Sequence, residues 1–122
     1  MRVISSCIKR ILPNTRVDES ALESFLIRIR SSAENFYRED GNNLLAAYTD
    51  DLPFSSKKQC VLVAWAGSGM GMVFFREWIS WVKARKSIRV ACYTPMFDDD
   101  RLEGVLARYG FKRHGGMFVW ER

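Results

Sequence analysis

Three glycines at alternate positions are the residues of this sequence with the clearest chemical use. They lie in Gly67-Ser68-Gly69-Met70-Gly71, directly after an apolar run and directly before a helical pattern. Glycines at the end of a strand let backbone N–H groups approach a ligand without side-chain obstruction, and the N-terminus of the following helix adds a positive partial charge. Such a turn favours phosphate. The glycines could instead serve only a tight turn and close helix packing, and the local pattern leaves both readings open.

The spacing of this loop fits neither of the two common phosphate-binding motifs. The lysine of a P-loop is missing after Gly71, and Phe74 stands where a dinucleotide-binding fingerprint has its third glycine. If this loop binds an anion, it therefore belongs to neither class, and a tight turn without a ligand remains the other interpretation.

Cysteine and histidine are the other residue types that could do chemistry. Cys7, Cys60 and Cys92 lie far apart inside apolar stretches, without a CxxC pair, and His114 is the single histidine. This spacing disfavours a zinc site and a disulfide framework. Three buried, reduced thiols are expected, and a Cys–His hydrolase is disfavoured because no thiol lies at a helix N-terminus or among basic residues.

The N-terminal half predicts one helix and a hairpin. The helix is expected to begin at Asp18 or Ser20 and to stop at Gly41-Asn42. Its apolar stripe consists of Leu22, Phe25, Leu26, Ile29, Ala33 and Phe36. Leu44 to Thr49 and Gln59 to Trp65 then read as two strands, and the segment between them, with Pro53, reads as a turn.

The C-terminal half predicts strand, glycine-rich loop, helix, strand, helix and hairpin. The elements after the loop are a helix through Phe74, Phe75, Trp78, Ile79 and Val82, a strand from Ile88 to Tyr93, a helix from Asp98–Asp100 to Gly110, and a hairpin around Gly115-Gly116. Strand–helix–strand connections of this length favour parallel neighbours with a right-handed crossover. The expected fold class is therefore α/β, with a mixed sheet flanked by helices.

Composition limits the class of protein further. The chain has 122 residues, 48% of them hydrophobic, and a formal net charge of +5. This is the size of one domain with a substantial core, so residues 1–122 are expected to form a single folded unit. No stretch has the length of a bilayer-spanning segment, which predicts a protein of the cytoplasm without a membrane partner.

The positive charge is compatible with anionic partners. Basic residues gather at Lys83, Arg85, Lys86 and Arg89 and again at Lys112, Arg113 and His114. A solvated helix end is the preferred interpretation, because Phe74, Trp78 and Trp81 occupy positions where a helix must pack on a sheet instead of interleaving with the charges. Nucleic acid is therefore not the expected partner, although an exposed Trp81 would indicate an interface.

The order of elements and the loop resemble the GNAT family of N-acetyltransferases. In that family a pyrophosphate loop with the pattern Arg/Gln-x-x-Gly-x-Gly/Ala joins the fourth strand to the third helix, and the corresponding stretch here is Ala66-Gly67-Ser68-Gly69-Met70-Gly71. The closing segment, from Arg108 through Gly110-Phe111 to Trp120, resembles the family's last helix and hairpin. The resemblance covers about residues 59 to 122, half of the chain.

The resemblance implies acetyl-CoA as the acyl donor and an amine as the acceptor. It implies that the pyrophosphate lies on the backbone amides of Gly67, Ser68, Gly69, Met70 and Gly71. It also implies that a backbone N–H near Val63 or Trp65 polarises the thioester carbonyl. Tyr93 and Tyr109 are the candidate proton donors, and no general base is indicated, since Glu39, Asp40, Asp50 and Asp51 read as solvated turn carboxylates.

Two positions depart from the family pattern. Ala66 replaces the basic or amide residue of the loop, and Leu106 stands where the family's tyrosine is found, with Tyr109 three residues further on. The N-terminal half is also short for the family. A catalytically silent GNAT-like domain that binds protein partners therefore remains an alternative. Small, trimmed chains of this kind resemble acetyltransferase-like proteins of tailed bacteriophages, which would place the protein in a virion instead.

Overall fold

A computed structural model describes residues 18–66, 69–95 and 100–122. The helices in these ranges are α1 (Glu19–Arg30), α2 (Gly71–Ala84) and α3 (Asp100–Arg108). The strands are β1 (Phe36–Asp40), β2 (Asn43–Asp51), β3 (Lys58–Ala66), β4 (Ile88–Tyr93), β5 (Lys112–His114) and β6 (Met117–Glu121). The strands form one mixed sheet in the order β1-β2-β3-β4-β6-β5. The predicted α/β class with a mixed sheet is confirmed.

The pairing of the strands follows from the lengths of their connections. The pairs β1/β2, β2/β3 and β5/β6 are antiparallel and joined by short turns, as hairpins require. Strands β3 and β4 run parallel because α2 crosses between them. Both the predicted central hairpin and the predicted parallel pair are confirmed, and the last hairpin turns at Gly115, whose φ is 63°.

The first helix is shorter than its apolar stripe predicts. Its start is confirmed, since Asp18 caps it by accepting a hydrogen bond from the N–H of Ala21 at 3.1 Å. The helix ends at Arg30, however, and the Ser31 hydroxyl donates to the carbonyl of Ile27. The prediction that Ala33 and Phe36 continue the helix is wrong.

Phe36 instead begins β1, an edge strand that the sequence pattern does not reveal. A residue can satisfy a helical stripe and an inward strand position equally well, and Phe36 is buried in the sheet. The turn before it is held by tertiary contacts: the Asn35 side chain accepts from the N–H of Thr49 at 3.0 Å, and the Thr49 hydroxyl donates to the carbonyl of Glu34 at 2.8 Å. Gly41, expected to stop the helix, has a φ of 58° and turns the β1/β2 hairpin.

The two faces of the sheet carry separate cores. Helix α1 packs on one face, where Leu26 and Ile29 meet Leu44, Ala46 and Ala64. Helix α2 packs on the other face with the larger core, which also receives buried side chains from α3 and from the last hairpin. The sheet therefore has helices on both sides.

No helix in the described ranges combines the length and the apolar character needed to cross a membrane.

Candidate functional site

Val63 interrupts the regular pairing of β3. Its neighbours Leu62 and Ala64 lie opposite Ala47 and Ala46 on β2, which leaves Val63 as an extra residue without a partner there. On the other side, the parallel pairing with β4 ends at Leu62 and Tyr93. Among the described residues, Val63 thus has no register partner on either neighbouring strand, and a bulge of this kind leaves the backbone of the extra residue outside the ladder.

The bulge also changes which side chains of β3 point toward α2. Cys60 and Leu62 belong to the core on the α2 face, and strict alternation would place Ala64 there as well. Ala64 lies instead in the core on the α1 face, and Trp65 packs toward α2. The extra residue therefore aims Trp65 at the beginning of α2.

Trp65 joins the end of β3 to the first turn of α2. Its indole N–H donates to the carbonyl of Gly71 at 2.9 Å. Its ring stacks on Phe75 with the centroids 4.7 Å apart and the planes at 18°. The two ends of the glycine loop are thereby held in a defined relation.

The backbone N–H groups around the described part of the glycine loop differ in their hydrogen bonding: one is bonded within the protein, and those at the start of α2 are not capped by any described side chain. Gly69 has a φ of 92°, which a side chain would strain, and Gly67 and Ser68 lie outside the described residues. The N–H of Met70 donates to the Asn43 side chain at 3.2 Å, so this amide is already occupied. No side chain in the described part of the chain caps α2, and the first amides of a helix have no partner within it. Among the described residues, the amides of Gly71, Met72 and Val73 are therefore available to an anion, since the first hydrogen bond within the helix is donated by Phe74 to Met70.

The two candidate tyrosines meet in one aromatic cluster with Trp65 and Phe75. Tyr93 lies edge-on to Trp65 with the centroids 5.8 Å apart, and Tyr109 lies edge-on to Phe75 at 5.3 Å. Burial raises the pKa of Tyr93 to about 12, so its hydroxyl keeps its proton at neutral pH. The structure thus brings Val63, Trp65, Gly71, Tyr93 and Tyr109 to the same end of the sheet.

Leu106 and Ala66, the two positions that depart from the GNAT pattern, both have surroundings that the structure defines. Leu106 is completely buried in the core on the α2 face, so a larger side chain at this position would have to displace its neighbours. Ala66 ends β3 opposite Leu44 and brings no charge to the loop. The positive potential that the described residues supply at the loop comes from the backbone amides at the start of α2.

The four carboxylates that are interpreted from the sequence as solvated turn residues lie at two different ends of the sheet. Glu39 and Asp40 pair with Leu44 and Asn43, at the end that carries the glycine loop. Glu39 accepts a hydrogen bond from the Tyr37 hydroxyl at 2.6 Å. Asp50 and Asp51 lie beside Gln59 and Lys58, at the other end. Only the first pair is placed near the loop.

The cysteines in the described ranges lack the setting of a nucleophile. Burial raises the pKa of Cys60 to about 12, although the Trp78 indole donates to its sulfur at 3.3 Å. Burial also raises the pKa of Cys92. Both are buried free thiols, as the sequence predicts, and Cys7 lies outside the described residues.

Two parts of this site are not predicted from the sequence, the side chain of Asn43 and the bulge at Val63. Asn43 reaches the loop only because the β1/β2 hairpin places it there, where it also donates to the carbonyl of Asp40 at 3.2 Å. A bulge in an apolar strand has no residue signature when the extra residue is itself a valine.

Comparison with protein families, with curated proteins and with solved structures found no match to this chain.

Proposed function

We propose that this chain is a GNAT-like domain that binds acetyl-CoA at the end of β3 and transfers the acetyl group to an amine. The observation that carries the proposal is Val63, which has no register partner and stands where the pairing of β3 with β4 ends, followed after the glycine loop by a helix that no described side chain caps. The site thus offers two separate sets of backbone N–H donors, one at Val63 and one at the N-terminus of α2. A thioester carbonyl and a pyrophosphate each need such donors.

The hydrogen-bond donors of the site support the binding of acetyl-CoA. The amides of Gly71 and Met72, at the N-terminus of α2, would receive phosphate oxygens. Gly69 keeps the approach to them clear, since nothing lies within 4 Å of a Cβ built at this position. Acetyl-CoA, when bound, supplies an activated acyl group that an amine nitrogen can attack.

The residues of the chain have separate tasks in such a transfer. The backbone N–H of Val63 would donate to the acyl oxygen as negative charge develops there. Tyr93, protonated at neutral pH, would hold the proton that a leaving thiolate needs. Glu39 and Asp40, at the same end of the sheet, would attract a cationic amine and take up its proton directly or through water.

Leu106 and Asn43 favour a second candidate function, a GNAT-like domain that binds partners without catalysis. The family's tyrosine position is a fully buried leucine here, and one loop amide is already bonded within the protein. Met70 and Met72 also pack against the core beside the loop. In this alternative the loop and the end of β3 serve to shape a surface for another protein.

A thermal melt with acetyl-CoA and with CoA tests the binding step. A ligand at about 100 times its dissociation constant stabilises the folded state by about 2.7 kcal/mol, which is a shift of several degrees for a domain of this size. Gly71→Leu should abolish the shift, because the added side chain stands in the first turn of α2, beside the amides that would hold the phosphate. Its Cβ would be in ordinary contact with the Trp65 indole, at 3.4 Å. Gly104→Leu is the matched control, since nothing lies within 4 Å of a Cβ there.

The release of free CoA thiol in the presence of a panel of primary amines tests the transfer step. Binding with turnover supports the acetyltransferase, and binding without turnover on any amine supports the silent domain. A folded protein whose melting temperature is unchanged by both ligands would contradict the acetyl-CoA site itself.

A further inference from the structure

A surface cavity of about 440 Å³ is lined by four cationic side chains: Lys57, Lys86, Arg89 and Arg122. They come from three segments that are distant in sequence, namely the β2/β3 loop, the turn and strand after α2, and the end of β6. All four residues are exposed. The cavity lies at the start of β3 and β4, whereas the glycine loop follows the end of β3.

The backbone holds two of these cations in place. The register between β3 and β4 shifts after Lys58, whose partner is Ile88, to Gln59, whose partner is Val90, so Arg89 is an extra residue on its strand. The guanidinium of Arg122 donates to the carbonyls of Val82 and Ile88 at 2.9 and 3.0 Å, which ties it to the end of α2. These hydrogen bonds fix the guanidinium of Arg122 within the lining of the cavity, which it shares with the other three cations.

Positive charge prevails in this cavity. The carboxylate of Glu121 lies 3.6 Å from Arg89 and offsets part of the charge. Both partners of that pair are more than half exposed, and exposed pairs of this kind are weak and screened by salt. A concave site that concentrates like charges attracts oxyanions, most strongly those with several negative charges.

Phe54 adds an aromatic ring to the loop that supplies Lys57. The loop closes through hydrogen bonds from the N–H of Leu52 to the carbonyl of Lys57 and from the N–H of Ser55 to that of Leu52, which leaves Phe54 at its tip. Its ring is 80% exposed, the largest exposure among the big apolar side chains of the described ranges. Lys57, which lines the cavity, follows Phe54 by three residues in the same loop. Single-stranded nucleic acid binds where exposed aromatic rings, on which bases stack, accompany cationic side chains that follow the backbone.

We propose that this cavity, which we call the basic cavity, binds the phosphodiester backbone of a single-stranded nucleic acid, with Phe54 stacking on a base. From the sequence alone, the basic residues around Lys86 and Arg89 are interpreted as a solvated helix end. The sequence does not show the cavity, because Lys57 and Arg122 come together with Lys86 and Arg89 only in the folded chain. The proposal is independent of acetyl-CoA, since it uses the opposite end of β3.

Fluorescence anisotropy of a labelled oligothymidylate of about twelve nucleotides tests the proposal. The intact protein should bind it, with an affinity that falls as salt rises by a slope of about 0.7 for each phosphate contacted. Lys57→Gln, Lys86→Gln and Arg89→Gln should each weaken binding several-fold, and the triple variant should lower the salt slope by about 2. Phe54→Ser should weaken binding with little change in that slope, because stacking releases no counterions.

Arg76→Gln is the matched control. Arg76 is exposed on α2, eight residues before the helix ends at Ala84, which is about 12 Å along the helix, and Lys86 lies beyond that end. An equal loss of affinity in this variant would overturn the proposal, because binding would then follow net charge and not the basic cavity. Absence of binding to the oligothymidylate at 50 mM salt would overturn it as well. Binding to phosphatidylserine vesicles in place of the oligonucleotide would do the same and assign the cavity to a membrane surface.

Discussion

The indole N–H of Trp65 donates to the carbonyl of Gly71, with the nitrogen and oxygen 2.9 Å apart. This single bond crosses the glycine loop, from the end of β3 to the first turn of α2. It depends on the extra residue at Val63, which turns Trp65 toward α2. The bulge, the loop and the aromatic cluster are therefore one structural unit.

Trp65→Phe should remove the hydrogen bond to Gly71 while keeping an aromatic ring next to Phe75. The smaller ring can still pack on Phe75, but the bond to Gly71 is lost, and we expect the free energy of unfolding to fall by about 1 kcal/mol from this loss. Trp81→Phe is the control, since Trp81 packs on Phe36 with Arg85 above its ring. Urea denaturation measures both. Equal losses in the two variants would mean that the Trp65 bond contributes nothing beyond ring size.

Two glycines should respond to alanine with opposite signs. Gly104 lies within α3 with open space around it, so Gly104→Ala should stabilise the protein by about 0.5–1 kcal/mol through helix propensity and loss of unfolded-state entropy. Gly69 has a φ of 92°, and Gly69→Ala should destabilise it by about 1 kcal/mol or more despite equal space. Thermal melts of both variants check the signs. Stabilisation by Gly69→Ala would show that the loop does not need the left-handed conformation.

Stability should fall at alkaline pH because of the buried thiol of Cys60. Burial raises its pKa from 9.0 to about 12, so the folded state favours the protonated form. This stabilisation is complete below pH 9 and is lost as the pH rises toward 12, at a slope of up to about 1.4 kcal/mol per pH unit. Tyr93, whose pKa is raised from 10.0 to about 12, adds to the loss above pH 10.

Urea denaturation at pH 8, 9.5 and 10.5 measures this slope. Cys60→Ala should make the dependence shallower between pH 9 and 10.5, whatever its effect on stability at pH 8. An unchanged slope in this variant would assign the alkaline loss to other groups.

Tyr93→Phe should lower acetyl transfer more than Tyr109→Phe if the proposed function holds. Tyr93 stands beside the last paired residue of β3, whereas Tyr109 meets the cluster only through Phe75. Loss of a general acid lowers kcat about 10²-fold or more, with little effect on the binding of acetyl-CoA. Steady-state rates and thermal shifts, measured on both variants, distinguish the two roles. A larger loss of kcat in Tyr109→Phe would transfer the proton donor to that residue.

Much of the fold follows from short-range signals. The helix around Phe74 and Trp78, the strand from Ile88 to Tyr93 and the turn at Gly115-Gly116 are each read from spacing or from a turn dipeptide. The capping of the first helix by Asp18 is local as well. These elements are predictable because the residues that define each of them lie close together in the sequence.

Other features were decided only when distant segments met. Phe36 satisfies a helical stripe, and hydrogen bonds from Thr49 to the preceding turn place it in a strand. Val63 becomes an extra residue through its pairing with β2, and Asn43 reaches Met70 across 27 positions of sequence. The sequence by itself determined the class of fold and the glycine loop, since both rest on local pattern. Tertiary structure decided the bulge, the occupied amide and the basic cavity, because each depends on which segments become neighbours in the folded chain.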